Sequence, residues 1–105
     1  HDVILISPEQ REVIHLECAR HCRHRGWRVW EVNARTNHVH AVVSAPGHAG
    51  DVVRDQLKAN CTRALRNHWG VFVDRPIWTH GGDWECINES DELEAVCLYV
   101  RDGQD

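Results

Sequence analysis

Ser7-Pro8-Glu9-Gln10, answered further on by Gly26, is the sharpest punctuation in this chain and the feature that most restricts its fold. A serine hydroxyl can accept from the backbone of a first helical turn. Proline is preset for the first helical position, and a glutamine three residues past the serine completes a capping box. Glycine, free to turn left-handed, ends a helix. Between these marks Ile14, Cys18 and Cys22 recur every fourth residue, so the helix predicted up to about Arg25 carries one apolar line and needs a surface to lie on. Trp27 to Ala34 supplies the start of one. Its apolar residues alternate as in a strand, at Trp27 and Val29 and then, shifted by one, at Trp30 and Val32. A turn over 35–37 leads to a second strand, His38 to Ser44, and the two make a hairpin.

Pro46-Gly47-His48-Ala49-Gly50 reads as a loop, followed by a second helix from Asp51 to about His68 that Gly70 ends. Val53, Leu57, Cys61 and Leu65 form its apolar line. Pro76-Ile77-Trp78-Thr79 and Trp84-Glu85-Cys86-Ile87 are predicted as two short strands around a Gly81-Gly82 turn. A third helix, capped by Ser90 and ended by Gly103, buries Leu93, Val96, Cys97 and Val100. Val3 to Ile6 is either a strand or the approach to the first helix. This order predicts an α+β fold, an antiparallel sheet with helices packed on one face. At 105 residues, the whole of 1–105 is expected to be one domain.

With 42% apolar and 27% charged residues, the composition is that of a globular chain rather than a disordered one. No apolar run approaches the roughly 20 residues of a spanning helix, so no membrane association is expected. The chain begins at His1 and holds no methionine, which reads as a piece of a longer one. Its five cysteines are odd in number and form no CxxC pair, which predicts reduced, mostly buried thiols in a cytoplasmic protein. The net charge of −4 weighs against a nucleic-acid partner, since backbone binding is driven by lysine and arginine.

The chemistry concentrates in Asn37-His38-Val39-His40. Side chains alternate along a strand, so His38 and His40 share a face about 7 Å apart, and two imidazoles so placed can grip one divalent cation. Two ligands are only part of a metal site, and an HxH on an exposed strand face can equally be surface polarity. Tyr99, on the flank of the third helix, is either an amphipathic packing residue or a nucleophile. Asp102 and Gln104 offer oxygen ligands just after it. Arg54, Lys58, Arg63 and Arg66 give the second helix a basic side, which is either a solvated face or a track for a single-stranded backbone. The five tryptophans are mostly core, with one or two able to offer a ring for base stacking. His15, Cys18, His21 and Cys22 suggest zinc only superficially, because the four positions spread around their helix.

Together these segments resemble the HUH single-tyrosine transposases, especially the REP-associated tyrosine transposases and their insertion-sequence relatives. Cys22-Arg23-His24-Arg25-Gly26-Trp27 resembles the end of that family's first helix. Asn37-His38-Val39-His40 resembles its metal-binding strand, Arg75-Pro76-Ile77-Trp78-Thr79 with Gly81-Gly82 its RP-W-x-x-G stretch, and Glu94 to Gln104 its tyrosine helix. The resemblance implies a ferredoxin-like fold and a metal-dependent endonuclease and strand transferase acting on single-stranded DNA with hairpins, as a homodimer. It implies Mg²⁺ or Mn²⁺ on His38 and His40, and Tyr99 as the nucleophile that forms a 5′-phosphotyrosine. The position four residues after the tyrosine, a ligand in several relatives, is Gly103 here, which leaves Gln104, with Asp102 as the alternative, for the third ligand. The family's first strand precedes its first helix; if Val3 to Ile6 is not that strand, the sheet lacks it. A relative that binds DNA or RNA hairpins without cutting them is the alternative function.

Overall fold

The first helix begins where its cap residues put it. The computed structural model describes residues 5–73, 77–78 and 84–89. In it α1 (Pro8–Arg25) opens on a complete capping box: Ser7 Oγ accepts from the Gln10 backbone N–H, and Gln10 Oε1 accepts from that of Ser7 at 2.8 Å. Gly26 closes it at φ 76°, a left-handed conformation that glycine adopts without strain. Leu5 and Ile6 form no strand, although the Ile6 N–H donates to the Thr36 carbonyl at 2.6 Å and its side chain is buried.

β1 (Arg28–Ala34) and β2 (Val39–Ser44) are the predicted antiparallel hairpin. α2 (Gly50–His68) follows, one residue earlier than predicted, and stops at Trp69 rather than at Gly70. A 3₁₀ turn over Gly70–Phe72 then brings the Phe72 carbonyl to Arg66 Nε, 3.0 Å away. β3 (Trp84–Asn88) completes a sheet in the order β1-β2-β3.

β3 lies parallel to β2, so the sheet is mixed and not wholly antiparallel as the sequence suggested. The reason is topological: α2 carries the chain back along the sheet between β2 and β3, and a crossover helix is what a parallel neighbour requires. Of the strand predicted over Pro76 to Thr79, the described residues Ile77 and Trp78 form a bend and not a strand, and the rest, with the Gly81-Gly82 turn, lies outside the described residues. The apolar side chains of Ile77 and Trp78 are used for packing instead. Trp78 meets Trp84 edge-on, with ring centres 5.3 Å apart, and donates from Nε1 to Thr62 Oγ1 at 2.7 Å. The third helix predicted from Ser90 lies outside the described residues.

One core unites the layers. Ile14, Cys18 and Cys22 of α1 and Val53, Leu57, Cys61 and Leu65 of α2 pack with Val39, Ala41 and Val43 of β2. Both helices therefore cover the sheet face on which the odd-numbered β2 residues lie, and the chain is of the α+β class. The helices meet through small side chains: Cys18 and Cys61 sulfurs lie 3.8 Å apart, and the Cys61 thiol reaches the Ile14 carbonyl at 3.8 Å.

The hairpin holds one irregularity. Val29 pairs with Val43, yet Glu31, not Trp30, pairs with Val42, so Trp30 is the extra residue of a β-bulge. This is the shift of alternation visible in the sequence. It lets Val29 and Val32 both pack against the core while Trp30 stays off it.

Candidate metal and nucleic-acid site

β2 is the middle strand, and it sends alternate side chains to opposite faces. With Val39, Ala41 and Val43 turned to the helices, His40 lies on the other face. His38 sits one residue before the strand and converges on the same place. Its Nε2 lies 4.0 Å from Glu85 Oε1, and His40 Nδ1 lies 3.9 Å from the same oxygen. The parallel register explains the meeting, because Glu85 is the β3 partner of His40. The expected pairing of the two histidines is thus present, with a carboxylate beside them that sequence reasoning missed.

Among the described residues His40 Nε2 is buried and has no hydrogen-bond partner. A buried polar atom without a partner costs roughly 1–3 kcal/mol, and a lone pair kept for a cation is one arrangement that recovers it. Among the described residues no group of three or more His, Cys, Asp or Glu side chains could hold a metal by itself. Tyr99, Asp102 and Gln104 lie outside the described residues.

The basic residues of α2 are not gathered with the histidines. The helix covers the opposite sheet face, and its cations are spread around it. At about 100° per residue, Arg54 and Lys58 flank the apolar line while Arg63 and Arg66 lie on the back. Arg54 pairs with Asp55 at 3.0 Å, Arg63 donates to Asn60 Oδ1 at 2.9 Å, and Arg66 braces the turn at Phe72.

The cluster that looked like zinc ligands is dispersed. His15 Nε2 accepts from the Ala34 N–H at 3.2 Å and ties α1 to β1. His21 bonds from Nε2 to Gln56 Oε1 at 2.9 Å. Cys18 and Cys22 are core residues, and they and Cys61 and Cys86 are free thiols. Burial, with Cys18 nearby, pushes the Cys22 thiol up to about 11. The Cys18 hydrogen bond and then burial raise Cys61 strongly. Such thiols are poor nucleophiles and poor metal ligands.

Four tryptophans are accounted for by packing. Trp27 and Trp84 belong to the core, and Trp69 and Trp78 lie against it. Trp27 is further enclosed by His21, His48 and Arg25, whose rings or guanidinium lie 5.5, 5.1 and 5.1 Å from its ring centre. Among the described residues no helix is long and apolar enough to cross a membrane. Comparison with protein-family models, with curated proteins and with solved structures gives no match.

Proposed function

We propose that the chain is a metal-dependent nicking and joining enzyme for single-stranded DNA, of the kind found in the HUH single-tyrosine transposases it resembles. The observation that carries this reading is the convergence of His38 and His40 beside Glu85. The order of the motifs along the chain supports it independently.

In this reading His38 and His40 hold Mg²⁺ or Mn²⁺, and Gln104 or Asp102 completes the site. The bound cation supplies Lewis-acid polarisation of the scissile phosphate. Tyr99 Oη attacks phosphorus, the P–O3′ bond to the nucleoside on the 5′ side breaks, that nucleoside leaves as a free 3′-hydroxyl carrying the proton given up by the tyrosine, and the 5′-phosphate of the other fragment stays on the tyrosine. The ester keeps the bond energy of the cut strand, so a second strand end can displace Tyr99 and be joined. The substrate is a single strand carrying a hairpin, the working unit a homodimer, and the setting the reducing cytoplasm.

The test is incubation with labelled single-stranded hairpin DNA and Mn²⁺, resolved on a denaturing gel. A protein–DNA adduct that EDTA prevents and Tyr99→Phe abolishes is the expected result. Retardation on a native gel with no adduct would replace this reading with that of a hairpin-binding relative.

A further inference from the structure

We infer that Arg28 and Trp30 form a stacking platform for single-stranded DNA on the same sheet face as His38 and His40. The inference rests on the single-strand reading above and names the surface that reading lacks, since the cations of α2 lie on the opposite side.

Among the described residues Trp30 is the one tryptophan that neither belongs to the core cluster nor packs against it. The β-bulge is the cause. Without an extra residue, strict alternation would send one of Val29 and Val32 away from the core. With it, both pack inward, and Trp30 goes to the face carrying Ser44, His40 and Glu31. Bulges that re-aim a side chain recur beside functional sites.

Two contacts fix the ring. Its Nε1 donates to Ser44 Oγ at 3.3 Å, across the hairpin. The Arg28 guanidinium carbon lies 3.9 Å from the ring centre, which is a close cation–π stack. Arg28 itself is exposed, and it pairs with Ser44 in the register, on the same edge of the hairpin. The result is a half-buried indole capped by an exposed, planar cation. A nucleobase laid on the guanidinium continues the stack, and its phosphate meets the positive charge.

The acidic residues of this face set the direction. Glu31 lies next to Trp30, and Glu85 lies beside the histidines. Carboxylates repel phosphates, so above Trp30 the contact is made by a base stacked on the Arg28 guanidinium, with the backbone turned away from Glu31. Asn33, two residues beyond Glu31, is the β1 partner of His40, so one short stretch of hairpin links platform and histidines.

The experiment is titration of the protein with fluorescein-labelled oligothymidylate, read by anisotropy, and with unlabelled oligothymidylate, read by tryptophan emission. Trp30→Ala is expected to weaken binding about tenfold or more, as loss of one stacked aromatic does. Arg28→Ala is expected to weaken it too and to flatten the salt dependence. Trp30→Phe keeps a ring and most of the affinity but removes most of the emission quenching. Arg20→Ala, on the exposed side of α1, serves as the comparison and leaves binding unchanged. Wild-type affinity in both Arg28→Ala and Trp30→Ala, or full quenching in Trp30→Phe, overturns the platform. Failure of the wild type to bind oligothymidylate also overturns it, whereas the adduct assay with hairpin DNA judges the enzymatic reading separately.

Discussion

The side-chain amide of Asn88 binds both backbone polar groups of Ala45: Oδ1 accepts from the Ala45 N–H at 2.9 Å, and Nδ2 donates to the Ala45 carbonyl at 2.9 Å. Nδ2 also reaches the His48 carbonyl at 2.5 Å, and the next residue, Glu89, donates from its N–H to the Val43 carbonyl at 2.8 Å. The end of β3 thereby imitates one more rung of strand and clamps the loop that leaves β2.

Asn88→Ala removes these three side-chain bonds and leaves both backbone polar groups of the buried Ala45 without them. A loss of about 2–3 kcal/mol in unfolding free energy is expected, read from urea melts. Asn88→Asp keeps the acceptor but loses the donor and is expected to recover only part of the loss.

His38→Ala and His40→Ala are expected to abolish Mn²⁺ binding and strand cleavage together. Calorimetry and the adduct gel check the two effects separately. Cleavage at the wild-type rate in either variant would remove the histidines from the site. Tyr99→Phe is expected to lose the adduct while holding DNA almost as well as the wild type, because only one oxygen is deleted.

Glu85→Ala is expected to weaken Mn²⁺ binding about tenfold, the usual cost of losing a carboxylate that orients or neutralises a ligating histidine. Its side chain is 66% exposed, so the thermal midpoint should hardly move. An unchanged Mn²⁺ affinity would leave Glu85 with no part in the site.

The buried thiols make an alkaline limit. Burial above all pushes Cys22 up to about 11 and Cys86 up to about 12, from an ordinary 9.0. The folded state therefore holds protons that the unfolded chain releases above pH 9. The stabilisation is complete below pH 9 and is lost as pH rises through 11 and 12. Urea midpoints are expected to fall from pH 9 upward, and Cys22→Ala should make that fall less steep.

Much of this was legible locally. The Ser7 capping box, Gly26, and the fourfold spacing of Ile14, Cys18 and Cys22 are written within a few residues of where they act, and α1 follows them. The hairpin is equally local, and even its bulge shows as a shift in the alternation at Trp30. What could not be read is set by partners distant in the chain. Glu85 meets His40 only because β3 pairs parallel to β2 after a helix-long detour. Trp78 reads as a strand residue from its neighbours, yet its position answers to Trp84 and Thr62. The cations of α2 looked like one basic side because sequence proximity hides the turn of the helix.

His40 stands on the strand with a hydrogen-bonded neighbour along each edge, β1 on one and β3 on the other. Central strands of this kind exchange their amide protons last, because opening them means opening the domain. Its ring is therefore carried by one of the least yielding stretches of main chain in the molecule. On the proposed reading, a phosphate bound there faces a fixed anvil, and any rearrangement between cutting and rejoining has to be made by the pieces that come to it.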